Sequence, residues 1–347
     1  MTIIYFILIL GITVFVHEFG HFIFAKRAGI HCYEFSIGMG PIIKSWKRKN
    51  DETEYSIRLL PIGGYVSMAG ETNEIDPDVP EKNRLQSKTW GQRFMTIIAG
   101  IMNNFILAIV IFFIIGLING AVLPEAYISG TEEGYPAYES GIVAGDKIVK
   151  VDGEKVDLDM FQLKLSTTKG ESTRFTVIHE DGSYDNVVIT PKKEVSDKGE
   201  VRYVYGFNLT AKTEKGLIPA VKYAFRKFFS LIKQMCYVIG YLFFGKLSLS
   251  NVSGPVGIYS VVNETAKTGL LNLVYLLGYI SLNVGFMNLL PIPAFDGGRL
   301  FFLVVEKIKG SKVSIKFENT VHAIGFFLLM LLMVVITYND IIRLFIK

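Results

Sequence analysis

The sequence predicts a multi-pass α-helical membrane protein with a small strand-rich domain inserted between its second and third membrane helices, and three observations carry that reading. Half of the 347 residues are hydrophobic and only 20% are charged, with a mean hydropathy of +0.37, too apolar for an ordinary soluble enzyme. The charges cluster in a few stretches while other runs are almost free of them, so the apolar excess sits in membrane-length segments. One long polar stretch alternates strand-like runs with Asp-Gly and Gly turns. The same composition excludes intrinsic disorder, which needs few large aliphatic residues and a large net charge. A net charge of only +4, without a concentrated basic face, argues against a nucleic-acid partner.

Four spans are expected: 2–25, 94–117, 269–290, and 323–336 with Val321 and Tyr338 extending it. The first is not read as a signal peptide, because no basic region precedes it and ionisable residues lie inside it. Lys26, Arg27, Lys44, Lys47, Arg58, Lys82 and Arg93 lie between spans 1 and 2, and Arg299, Lys307, Lys309, Lys312 and Lys316 between spans 3 and 4, whereas residues 1–16 carry no basic side chain. The positive-inside rule makes both connections cytoplasmic and places both termini and the inserted domain outside. Residues 228–244 are apolar apart from Lys233 and Gln234, but a crossing there would push the 299–316 connection outside, against its charge. They are expected to form an amphipathic helix at the outer interface.

The inserted domain divides the chain into 1–117, 118–211 and 212–347. Its expected strands are 147–151, 174–179, 187–190 and 203–209, interrupted by a helix at 158–166. Residues 37–68 also look β-like, with Gly38-Met39-Gly40-Pro41 and the Pro61 to Tyr65 run as turns. Cys32 and Cys236 fall on opposite expected sides, so neither a disulfide framework nor a thiolate cluster is available, and both read as packing thiols.

Chemistry enters at His17-Glu18-Phe19-Gly20-His21, inside the first span. Residues i and i+4 share a helix face, so the two imidazoles can converge on one divalent ion. Glu18 follows the first imidazole directly, which puts its carboxylate beside such an ion as a general base for water. Two histidines and a glutamate in lipid are costly without a purpose of this kind. Zinc suits imidazole and carboxylate donors with an open position, and a hydrolytic zinc site needs a third protein ligand. Glu34, His179 and His322 read as ordinary side chains. Asp296 differs: it closes Asn288-Leu-Leu-Pro-Ile-Pro-Ala-Phe-Asp-Gly-Gly298, where prolines forbid a regular helix and glycines allow close approach, at the same membrane depth as His17 and His21.

Taken together, these pieces resemble the site-2 protease family of intramembrane zinc metalloproteases, in the bacterial branch that includes the regulator of sigma-E protease. The matching runs are HEFGH at 17–21, SIGMGP at 36–41, RLLPIGGYVSM at 58–68, AGIMNN at 99–104, SGPVGI at 253–258 and NLLPIPAFDGG at 288–298, in family order over nearly the whole chain. The resemblance implies His17, His21 and Asp296 as zinc ligands, Glu18 as catalytic base, and Asn288 near the substrate or the oxyanion. It implies a membrane-reentrant β-loop from residues 37–68, with Gly63 and Gly64 at the substrate. Residues 135–156 are similar to a PDZ domain, a module that binds extended peptides at a sheet edge. One such domain is expected here, as in the single-PDZ form of Gram-positive bacteria.

The implied function is hydrolysis, within the plasma membrane, of single-span proteins already trimmed by an upstream site-1 type protease, such as anti-sigma factors or remnant signal peptides. The PDZ domain would filter by size or read the new terminus. Departures from the family pattern are Phe295 for the usual Leu, Ile101 where Pro is frequent, and the Asn103-Asn104 pair. None falls on an implied ligand. A non-catalytic peptide-binding scaffold would have lost the ligand set, and a metal transporter would need inverted repeats and ligands on several spans.

Overall fold

The computed structural model describes residues 1–71, 76–195, 201–245 and 253–346. Helix α1 (Thr2–Arg27), the paired strands β1 (Cys32–Lys47) and β2 (Glu54–Met68), and α2 (Trp90–Asn119) open the chain. A β-rich run follows: β3 (Ala121–Val122), β4 (Ala126–Thr131), the single turn α3 (Pro136–Glu139), β5 (Lys147–Val151), β6 (Glu154–Lys155), α4 (Leu158–Thr167), β7 (Thr173–Ile178), β8 (Tyr184–Ile189), β9 (Lys192–Val195), β10 (Val201–Val204), β11 (Phe207–Thr210) and β12 (Thr213–Glu214). The C-terminal part is helical, with α5 (Leu217–Phe243), α6 (Pro255–Thr268), α7 (Leu270–Leu289), α8 (Asp296–Lys309) and α9 (Ile315–Ile346). Among the described residues, α1, α2, α7 and the Ile315–Ile342 part of α9 are long and apolar enough to cross a membrane, matching the four expected spans. The expected 228–244 segment lies in α5 up to Phe243, and α5 is not among them.

The chain forms two compact units, residues 1–111 with 248–347 and residues 112–247. In the first, α1 packs against β2, α6 and α7. Phe22 and Ala25 on α1 bury against Ile30, Cys32, Phe35, Val66 and Met68, while Ile9 further up the same helix packs with Val262, Leu273, Leu276 and Ile280. Strands β1 and β2 bend at the two expected turns. Ile37 pairs with Gly64 on one side and with Ile57 on the other, so the first half of β1 is flanked twice by β2. Gly38 and Gly63 take φ of +90° and +86° at the bends, a region only glycine enters freely. Helix α7 stops at Leu290, whose extended backbone is what the following Pro291 requires.

In the second unit a six-stranded sheet runs β11-β4-β5-β7-β8, with β6 paired to β5. Asp152 and Gly153, both at positive φ, form the tight turn from β5 to β6 that an Asp-Gly pair favours. Asp157 caps α4 by accepting the Met160 N–H at 2.8 Å. Phe161, Phe175, Ile148, Val177 and Tyr205 form the buried core. The single strand expected over 203–209 is two: β10 pairs with β9 and β11 with β4. Gly206 separates them at φ +85°, where any side chain would meet Tyr135 Cβ at 2.3 Å. Helix α5 belongs to this unit and is tied to α4 by Lys227 to Asp159 at 2.6 Å, with Tyr237 donating to Glu154 at 2.5 Å. Cys32 is buried as expected, but Cys236 on α5 is exposed and so is not a packing thiol.

Candidate metal centre

The site is built where α1, α2 and the start of α8 meet. Four-residue spacing stacks His17 and His21 on one face of α1, and both rings are buried. Their Nε2 atoms lie 3.2 Å apart. Asp296, the first residue of α8, brings Oδ2 to 3.0 Å from His17 Nε2 and 3.1 Å from His21 Nε2. These donor atoms, all within 4.8 Å of one another, form the described residues' one His, Cys and carboxylate cluster of metal-binding geometry.

Whether a cation fits is decided by hydrogen bonding. Asp296 Oδ2 is buried, yet no hydrogen-bond donor is directed at it, although two imidazole nitrogens are at contact distance. A buried carboxylate oxygen is normally satisfied. The Nδ1 of His21 faces the Thr96 carbonyl at 2.9 Å. A carbonyl only accepts, so the ring proton is on Nδ1 and Nε2 presents a lone pair. The lone pair of His21 Nε2 and the donorless Asp296 oxygen, converging with His17 Nε2, fit a divalent cation, and imidazole with carboxylate suits zinc.

Residues outside the ligand set make this convergence possible. A Cβ on Gly20 would sit 2.4 Å from the Ala99 carbonyl, and one on Gly100 would sit 2.3 Å from His21 Nε2, so both glycines are needed for α1 and α2 to approach with the imidazole between them. Ala294 has φ +80°, a strained conformation for a residue with a Cβ, two positions before Asp296. His322 Nδ1 accepts the Ala294 N–H at 3.0 Å and holds that turn, which is the structural part the sequence reading gave it. A glycine in an apolar span that must meet an HExxH face, and the Asn103-Asn104 pair within that span, are the signals that point to Gly100 and Asn104.

Glu18 is beside the cluster, and one carboxylate oxygen accepts the Val66 N–H of β2 at 3.2 Å. A cavity of about 290 Å³ is lined by His17, Glu18, His21, Asn288, Asp296 and Arg299, with Val66, Met68 and Glu71 closing the β side. Asn288 thus reaches the cavity, but its amide donates to the Val284 carbonyl at 3.0 Å on its own helix. Gly63 and Gly64 precede Val66 and Met68, the β2 residues that line the cavity. A Cβ on Gly64 would meet the Ser36 carbonyl at 2.5 Å, which gives that glycine a strand-packing reason. Arg299, one turn beyond Asp296, pairs with Glu71 at 2.6 Å and ties α8 to the end of β2. Glu34 is spent within the β-sheet on Arg58, Ser56 and Tyr65.

A water-accessible cavity that combines an HExxH helix with a distant aspartate, built on membrane-length helices, defines a metal-dependent hydrolase. The chain belongs to peptidase family M50, the site-2 protease family, whose sequence pattern matches residues 5–332. It is a metalloprotease of a family that uses zinc. Among its relatives are the regulator of sigma-W protease RasP of Bacillus subtilis, 34% identical over 99% of both chains, and a putative zinc metalloprotease of Clostridium acetobutylicum, 36% identical over 97% of this chain and 96% of that one. The zinc metalloprotease RasP of Shouchella clausii is 33% identical over 99% of each.

Proposed function

We propose that this protein is an intramembrane zinc endopeptidase that cuts the membrane segments of single-span proteins, with His17, His21 and Asp296 as metal ligands and Glu18 as catalytic base. The observation that carries the reading is the convergence of His17 Nε2, His21 Nε2 and the donorless Asp296 Oδ2 beside Glu18 on membrane-length helices. The chemistry zinc supplies when bound there is Lewis acidity, lowering the pKa of a water from 15.7 toward about 7 and polarising a carbonyl. Glu18, oriented by the Val66 N–H, takes the proton from the attacking water and passes it to the departing amine. Asn288 meets the substrate from α7. A helical substrate must unwind first, because its carbonyls are otherwise held in i to i−4 hydrogen bonds.

The β1–β2 sheet dips into the membrane, a reading supported by the exposed apolar side chains of Ile37, Met39, Ile42, Ile43, Leu59 and Leu60. The β-rich unit is a PDZ domain, supported by the Asp-Gly hairpin, the capped helix α4 and the edge position of β11 among the described strands. Its ligand is an extended peptide. The protein is a multi-pass protein of the bacterial plasma membrane, with the β-rich unit and both termini extracytoplasmic, because the basic connections at 26–93 and 299–316 favour the cytoplasm. Its substrates are anti-sigma factors or remnant signal peptides trimmed by a separate protease, a reading supported by the similarity to a regulator of sigma-W protease.

The test is cleavage of a pre-trimmed single-span reporter by purified protein, with bound zinc measured in parallel. Glu18→Gln is expected to retain zinc and lose cleavage. Wild-type protein that binds zinc but leaves a panel of reporters intact would overturn the reading.

A further inference from the structure

One buried polar group beside the metal ligands takes no part in the steps proposed for the reaction. Asn104 is fully buried on α2. Its side-chain amide faces His17 Nδ1 at 3.4 Å with the nitrogen toward the ring, while Oδ1 is buried with no hydrogen-bond partner. Its backbone is fixed by the Ser281 hydroxyl on α7, which donates to the Asn104 carbonyl at 3.0 Å. A fully buried amide with a lone acceptor beside a ligand-bearing ring is an unusual cost in a membrane helix.

The requirement at His17 is one of proton placement. A histidine that ligates through Nε2 must carry its proton on Nδ1 and donate it. At His21 the Thr96 carbonyl takes that proton. The polar group facing Nδ1 of His17 is the Asn104 amide, of which only the oxygen can accept. Rotation of the amide by 180° exchanges its oxygen and nitrogen in place, pairing Oδ1 with the Nδ1–H. Thr96 and Asn104 stand two turns apart on α2, as His21 and His17 stand one turn apart on the antiparallel face of α1, so one helix orients both rings.

We propose that Asn104 is a positioning residue for His17: in the metal-loaded protein its side-chain oxygen accepts the Nδ1 proton and fixes the ring with Nε2 toward the metal. The assignment rests on the metal reading of His17, His21 and Asp296. It predicts that an acceptor at position 104 is required and a donor is not.

The experiment uses the full chain in detergent, stripped of metal and titrated with cobalt(II), with affinity read by chelator competition and site geometry by visible absorption. Asn104→Leu, which removes the acceptor at similar volume, is expected to weaken cobalt binding about 10–100-fold and to change the absorption bands. Asn104→Asp, which keeps the acceptor and loses the donor, is expected to bind within about threefold of wild type with its spectrum preserved. Asn104→Leu indistinguishable from wild type would overturn the proposal. So would Asn104→Asp as weak as Asn104→Leu, which also covers the case in which leucine merely disturbs packing. His17→Ala separates the two levels: if wild type binds cobalt no better than His17→Ala, the metal reading fails and takes this assignment with it, whereas a large gap between them leaves the position-104 variants to decide.

Discussion

Two aspartates in this molecule contact histidine and do opposite things. In the β-rich unit His179 Nδ1 meets Asp146 Oδ1 at 2.9 Å, and the second oxygen of Asp146 accepts the Val143 N–H at 2.9 Å. Every lone pair that matters there is used, and the pair closes a loop. In the membrane unit Asp296 Oδ2 lies as close to two imidazoles and receives no hydrogen bond. A satisfied carboxylate locks structure, whereas a buried one left without a donor is free to meet a cation.

The sharpest way to break this contrast is to neutralise each aspartate. Asp296→Asn is expected to abolish cleavage and stoichiometric zinc together, whereas Asp146→Asn should keep zinc and cost about 1–3 kcal/mol of stability in the β-rich unit. Bound zinc by atomic absorption, alongside thermal unfolding, separates them. Equal zinc loss in both would end the distinction.

A smaller effect is expected from adding one carbon. Gly100→Ala places a methyl 2.3 Å from His21 Nε2 and should lower metal affinity about 10–100-fold. Gly130→Ala in the β-rich unit meets nothing within 4 Å and should stay within about 0.5 kcal/mol of wild type.

Ala294→Gly probes the strained turn. It relieves about 1 kcal/mol of left-handed strain, so unfolding should shift upward while cleavage falls several-fold as Asp296 loses its fixed approach. A rise in both would show that the strain serves no positioning role. The mildest contrast is between the two thiols. Burial pushes the Cys32 thiol up to about 12, while Cys236 is exposed, so maleimide should label Cys236 at neutral pH and reach Cys32 only after unfolding.

Much of this was legible in the chain. His17 and His21 share a face by helical period alone, the four spans follow from length and polarity, and Asp152-Gly153 announces its hairpin. The 203–209 run was misread as one strand because alternation of apolar residues continues across Gly206, and only the packing of Tyr135 against that glycine shows why the chain must turn. That Val66 and Met68 are the β2 residues lining the cavity is not written in the run, since which residues of a twice-bent strand face inward depends on where its bends fall.

By itself the sequence determined the membrane class, the HExxH face and the presence of a β-rich region between membrane helices, because each is written in local periods of 3.6 or 2 residues and in the clustering of charge. Only the tertiary structure decided that Asp296, 279 positions beyond His17 in the chain, presents a donorless oxygen to both imidazoles, that Gly100 makes room for one ring and that Asn104 faces the other. These are relations between helices, set by close packing and by which buried polar atoms find partners, and no local pattern encodes them.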